Sequence, residues 1–223
     1  FNLRATTGLF RDRIKLDGNI SFMRQVVKDK PVPGGFYMNP LVGLYRFPRG
    51  VDMTPYREHF EVYDPDRKLG VQNWIAPSDD FEQNPYWITN RNMFNTGKDR
   101  FLFGASLKYD VTDWLDITGR ARIDYTHITA EQKNYASTLG LFAGDKGRYY
   151  NNTYTTSQRY ADVLANVHKT FADGAFSLNA TLGASIEDYK HRAILLGGDL
   201  TAALPGVFSP AAAASYLVFT ALY

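Results

Sequence analysis

Apolar and polar residues alternate with a period of two along several segments of the chain. In the clearest segment, Leu115 to Thr126, every second residue is apolar or glycine and every residue between is polar. Such alternation is typical of a β-strand with one face against an apolar medium and the other against water. The pattern predicts six strands, with a candidate seventh from residue 215, at 1–9, 14–22, 101–109, 115–126, 161–168 and 176–187.

The connections between these strands alternate between short and long. Residues 11–13, 111–113 and 172–174 form the short turns, and residues at about 29–98, 130–156 and 191–214 form the long loops. A soluble β-sandwich usually has strands of about five or six residues and gives no reason for this alternation. A transmembrane barrel crosses the bilayer with about 9 to 11 residues and has short turns on one rim only.

The sequence therefore predicts an all-β fold, an antiparallel transmembrane β-barrel segment with long extracellular loops, in which residues 1–223 form a portion of one barrel domain. Because open strand edges in lipid leave many backbone groups unsatisfied, we expect the sheet to continue in sequence beyond this chain. The chain begins at Phe1 rather than methionine, which fits a mature product or an internal piece.

Aromatic residues occur beside the predicted turns. An interfacial girdle would place them there, although the ordinary strand propensity of aromatic residues is an alternative explanation. Those near the short turns are Phe10, Tyr109, Trp114, Phe171 and Phe176, and Tyr125 and Tyr189 lie toward the opposite rim.

If the apolar face meets lipid, the other face lines a polar lumen. A lumen with so many charges is either wet or filled by another polar domain. In a soluble sandwich the same residues would form the solvated surface. The predicted lumen-facing residues are Lys108, Asp116, Arg120, Arg122, Asp124, Asp162 and Glu187 on the later strands, with Arg4, Lys15 and Asp17 on the first two.

Composition excludes several classes of protein. The chain has 25 Lys and Arg against 23 Asp and Glu, so no strong field favours nucleic acid. It has no cysteine, which excludes a disulfide framework, and no apolar run of about 18 residues that would form a transmembrane helix. The four histidines lack metal-ligand spacing, and Asp124 and His127 would lie on opposite faces of a strand. We therefore expect neither an enzyme nor a metal or other cofactor.

The connection between residues 29 and 99 carries the most distinctive sequences. They are Asn39–Gly50, Tyr63–Pro65, Val71–Trp74 and Asn84–Asn92, and the Leu107–Leu115 hairpin follows them. With these sequences together, the chain resembles the SusC/RagA family of TonB-dependent outer-membrane transporters. The resemblance extends from Phe1 to at least Ile186 and weakens past Gly197.

The resemblance implies a 22-stranded barrel in a Bacteroidetes-type outer membrane. It also implies an N-terminal plug, energy supplied by the TonB complex, and a SusD-like lipoprotein lid that helps capture oligosaccharides or peptides. The plug and the TonB-contacting segment are absent from this chain. Two alternatives stay open, a soluble carbohydrate-binding β-module and a passive porin or adhesin barrel.

Aromatic residues in the long connection are candidates for contact with solute or with a lid protein. The alternative is that they form the connection's own small core. The candidates are Tyr37, Tyr45, Tyr63, Trp74, Tyr86 and Trp87.

Overall fold

The structure is a computed structural model that describes residues 1–10, 12–30, 38–75, 82–171, 174–201 and 216–217. Its main element is an antiparallel sheet with strand order β1-β2-β5-β6-β7-β8-β9. The strands are β1 (Asn2–Leu9), β2 (Ile14–Lys28), β3 (Glu61–Asp64), β4 (Leu69–Gln72), β5 (Asn92–Thr112), β6 (Leu115–Asn134), β7 (Arg148–Phe171), β8 (Phe176–Asp199) and β9 (Tyr216–Leu217). The predicted all-β antiparallel class is confirmed. Within the described residues the sheet is open, with β1 and β9 at its edges.

The strands are longer than their alternating segments predict. Parts of the predicted loops at about 130–156 and 191–214 are paired strand, since β6 runs to Asn134, β7 starts at Arg148 and β8 runs to Asp199. Of the third loop, residues 202–214 lie outside the described part of the chain. The strict alternation of apolar and polar residues is lost in these extensions, whereas the backbone hydrogen bonds of the ladder do not depend on side-chain polarity.

The short connections are where the sequence predicts them. β1 ends at Leu9 and β2 begins at Ile14, and β5 and β6 are joined through Asp113 and Trp114. β7 and β8 are joined between Phe171 and Phe176, where residues 172 and 173 lie outside the described residues.

Three short helices lie in the long connection, α1 (Pro40–Arg46), α2 (Thr54–Glu58) and α3 (Pro85–Arg91), together with the separate β3–β4 hairpin. α1 and α3 both start at an Asn-Pro pair. The side-chain oxygens of Asn39 and Asn84 accept hydrogen bonds from backbone N–H groups two residues on, while proline at the first position leaves no N–H unpaired. No helix in the described segments has the length and apolar character needed to cross a membrane.

The buried core of the described chain lies in this connection and in the strand ends beside it, rather than against the wide part of the sheet. We call residues 38–75 and 82–91 the rim domain. It contributes Met38, Trp74, Trp87 and Ile88 to the core, while the strand ends and the segment joining β6 to β7 contribute Leu139, Ala143, Tyr149 and Leu200.

Candidate functional site

The half of the sheet nearest the short turns has one apolar face, and many of its large side chains are exposed. On β8, Leu182 is 79% exposed and Ile186 is 72% exposed, and on β7 Val163 is 55% exposed. Cross-strand pairing joins the apolar positions of all six long strands into one continuous surface, which we call the apolar band. Along β5 it spans Phe101 to Tyr109, which is about 30 Å of strand.

The apolar band runs obliquely across the strands. Phe101 and Tyr125 are directly paired at its edge farthest from the short turns. On β7 the residue paired with Tyr125 is Ser157, but the apolar run of β7 ends four residues nearer the turn, at Ala161. On β8 the run ends at Ile186, which is paired with Ala161.

The other edge of the band shifts in the same direction. Tyr109, Ile117, Ala165 and Leu182 are paired in turn across β5, β6, β7 and β8. On β8, however, the apolar run continues six residues past Leu182 toward the turn, to Phe176. From β2 to β8 the edges of the band shift by about four to six residues, which is about 13 to 20 Å along the strands. The same four steps from strand to strand cover about 19 Å across the sheet. The strands are therefore tilted by about 35 to 45° from the normal to the band.

The opposite face of the same rows carries ion pairs, and we call it the charged face. Arg4 lies 2.9 Å from Asp17, and Arg120 lies 2.9 Å from Asp162. A further pair joins Arg100 to Asp124. Each pair joins residues on neighbouring strands, so the charges also tie the strands together.

Asp116 is the most densely contacted carboxylate at the turn end of the charged face. It is 5% exposed and accepts a hydrogen bond of 2.8 Å from the Asn166 amide. The Lys108 ammonium lies 3.5 Å from it, and a ring nitrogen of His168 lies 3.9 Å away.

All seven residues predicted to share the lumen side do share the charged face, because the register pairs their rows directly across the sheet. A groove of about 460 Å³ opens on this face between Asp17, Asn19, Ser106 and the neighbouring β6–β7 side chains. In it, Arg122 stacks on the ring of Tyr160 at 5.7 Å from the centroid. Tyr189, expected in the aromatic girdle, is instead on the charged face, since it pairs with Gln158.

The rim domain is built around an aromatic cluster. The ring centroid of Trp74 lies 5.4 Å from Phe47 and 5.6 Å from Tyr56. The indole N–H of Trp74 donates to the buried carboxylate of Glu82, which also pairs with Arg46 at 3.0 Å. The cluster therefore links α1, α2 and the segment that leads into α3.

Asn84 is the central polar residue of the rim domain, and it is fully buried. Its side-chain oxygen accepts from the N–H of Tyr86 at 2.8 Å, which caps α3. Its amide nitrogen donates to the carbonyls of Tyr56 at 2.7 Å and Asn73 at 2.6 Å. One side chain thus joins α2, the end of β4 and α3.

Buried polar side chains fasten the rim domain to the sheet. The indole of Trp87 donates to the Thr138 hydroxyl at 3.0 Å, which donates to Asn92 at 2.9 Å. Gln72 binds the backbone and side chain of Ser137. Asn92 and Arg100 lie eight residues apart on a part of β5 without a bulge, and residues an even number apart on a strand share a face. The rim domain is therefore attached on the side of the charged face.

The candidate aromatic residues divide into two groups. Trp74 and Trp87 are 4% and 0% exposed and belong to the core of the rim domain, as the alternative interpretation predicted, and Tyr86 is half-buried. Tyr45 and Tyr63 are 86% and 69% exposed, so both are accessible to a partner. Tyr37 lies outside the described residues.

The polar residues that hold the rim domain together, Gln72, Gln83, Asn84 and Thr138, were not predicted from the sequence. The Asn-Pro pairs were a usable signal for the two helix starts, because asparagine before proline is a favourable helix cap. Nothing in the sequence pattern indicates that Gln83 accepts from the Leu139 backbone, since that contact joins residues 56 positions apart.

At the far end of the hairpins, well beyond the apolar band, Asp199 lies between two donors. It accepts from the Arg148 guanidinium at 2.6 Å and from the backbone of Gly144 at 2.9 Å. The hydrogen bond from Arg148 is the main reason that the pKa of Asp199 is below its ordinary value. Close by, burial raises the pKa of Tyr149, whose hydroxyl donates to Glu131.

The described residues contain no group of three or more side chains suited to hold a metal ion. Asp124 is paired with Arg100 on the charged face, whereas His127 contacts the Thr155 hydroxyl on the other face, as expected from their spacing. The sequence matches no protein-family model and is not significantly similar to any curated protein.

Proposed function

We propose that this chain forms part of the wall of a bacterial outer-membrane β-barrel, and that the barrel is a nutrient importer of the SusC/RagA type. The observation that carries the proposal is the oblique apolar band. Its span of about 30 Å along a strand equals the 9 to 11 residues that cross a bilayer in a barrel. Its tilt of about 35 to 45° equals the strand tilt of transmembrane barrels.

A soluble carbohydrate-binding module accounts less well for this band. A soluble domain covers an apolar sheet face with a second layer, because exposing that much apolar surface to water is unfavourable. In this protein, Leu178 of the apolar band is 49% exposed and Leu182 is 79% exposed. Lipid is the medium in which such a surface is stable.

The charged face then lines the lumen. Its arginines and aspartates are paired across strands, so they add little net field to the pore wall, while the groove beside Arg122 stays accessible. The rim domain is fastened on the same side, which brings it over the lumen at the end far from the short turns. This arrangement favours a covered, selective importer over a passive porin.

In this proposal the long hairpins and the rim domain are extracellular. Tyr45 and Tyr63 are the residues best exposed to bind an oligosaccharide, a peptide or a SusD-like surface lipoprotein. Energy would come from the TonB complex through a plug region outside this chain. The chain itself has a transport role rather than a catalytic one.

Fractionation of the full-length protein tests the membrane part of the proposal. We expect it in the outer-membrane fraction and soluble only with detergent. Recovery in the aqueous fraction without detergent would refute the barrel.

Uptake tests the transport part. Cells that lack the gene should lose growth on one class of oligosaccharide or peptide and regain it with the wild-type gene. Tyr45→Ser and Tyr63→Ser should weaken uptake or capture of the lipoprotein, whereas Glu58→Gln, an exposed change in the same domain, should not. Unaltered growth on every such nutrient would rule out import.

A further inference from the structure

Among the described residues, Lys169 places a cation within the apolar band, near the short turns. Lys169 follows Val167 and precedes Phe171 on the apolar side of β7, and it is paired with Leu178 of β8. The Lys169 ammonium lies 4.9 Å from the centroid of the Trp114 ring and 5.3 Å from that of the Phe171 ring. All three side chains are exposed.

This ammonium has no carboxylate partner among the described residues. The ion pairs at this end of the sheet are made by Lys108, Asp110, Asp116 and His168, which belong to the charged face. The two rings hold the Lys169 ammonium by cation–π attraction but do not neutralise it. The indole N–H of Trp114 likewise has no hydrogen-bond partner in the described part of the chain.

We propose that Lys169 and Trp114 form a binding site for the phosphate of a phospholipid headgroup, in the leaflet that surrounds the short turns. The inference rests on the proposed membrane location. At the boundary of the hydrocarbon layer, a lysine extends its apolar stem along the protein and its ammonium toward the headgroups. The phosphate is the anion present at that depth, and the ammonium and the indole N–H supply two donors to its oxygens.

The test is native mass spectrometry of the full-length protein, purified in detergent and titrated with phosphatidylglycerol. Lys169→Gln should weaken binding about fivefold, which corresponds to about 1 kcal/mol. Trp114→Phe, which keeps a ring and removes the N–H, should also weaken it. Lys169→Arg should bind as the wild type does.

Lys15→Gln is the matched control, because Lys15 lies near the same end of the sheet but on the charged face. In the strand register it lies directly across from Lys108 of β5. It should leave the affinity unchanged. Diacylglycerol, which has the same chains without phosphate, should bind weakly and equally to all variants.

Equal phosphatidylglycerol affinities for Lys169→Gln and Lys15→Gln would overturn the site while leaving the barrel intact. Displacement of the lipid by millimolar inorganic phosphate would identify a free-phosphate site and would also overturn it. If the protein needs no detergent, the membrane proposal fails, and this inference fails with it.

Discussion

Asn84→Ala would remove the side chain that joins three parts of the rim domain. The variant leaves the N–H of Tyr86 without its cap and the carbonyls of Tyr56 and Asn73 without their donors. All of these contacts are made by a side chain that is fully buried, while the residues that supply its partners are partly buried.

The expected cost follows from these three contacts. Loss of the helix cap costs about 1 kcal/mol, and each buried carbonyl left without a donor costs about 1 to 3 kcal/mol. The rim domain should therefore lose at least about 3 kcal/mol of local stability. That loss corresponds to a decrease of about 100-fold in amide protection.

Hydrogen exchange of the full-length protein measures this loss at the amides of α3 and of the β3–β4 hairpin. Amides in the apolar band should keep their protection. The matched control is Asn90→Ala, since Asn90 is exposed and donates only to the Tyr86 carbonyl and the Thr89 hydroxyl, both in its own helix. If Asn84→Ala exchanges like Asn90→Ala, the rim domain does not depend on this network.

Three other changes have defined outcomes. Leu182→Lys puts a charge near the middle of the apolar band and should cost about 2 to 4 kcal/mol of folding stability in lipid vesicles. Thr181→Lys, on the charged face, should cost much less. Equal costs for the two variants would refute the assignment of faces. Gly43→Ala brings a methyl group to 2.5 Å from a backbone carbonyl of the segment before α3, so α1 should become sensitive to protease, whereas Gly140→Ala, with open space around it, should stay resistant. Because the pKa of Asp199 is lowered in the folded protein, its contribution to stability is present above its unfolded pKa of about 3.9 and is lost as pH falls through the folded value. Amide protection at the hairpin ends, corrected for the intrinsic exchange rate at each pH, should therefore fall in acid in the wild type, and Asp199→Asn should remove this pH dependence.

The alternation of residue types determined much of the sheet. Its period of two identified the six long strands and predicted which residues share a face, including Arg120 with Asp162, because side chains on a strand alternate strictly. Polar turn residues and the short spacing between alternating segments located the three short connections. These are local properties, and local sequence is sufficient to specify them.

The tertiary structure decided where the strands end and which aromatic residues are accessible. β7 and β8 continue far past their alternating segments, because backbone pairing with a neighbouring strand needs no apolar side chain. Trp74 and Trp87 are buried while Tyr45 and Tyr63 are exposed, although all four are aromatic residues of one connection. Burial depends on contacts such as Trp87 with Thr138, which are 51 residues apart, and no local pattern encodes them.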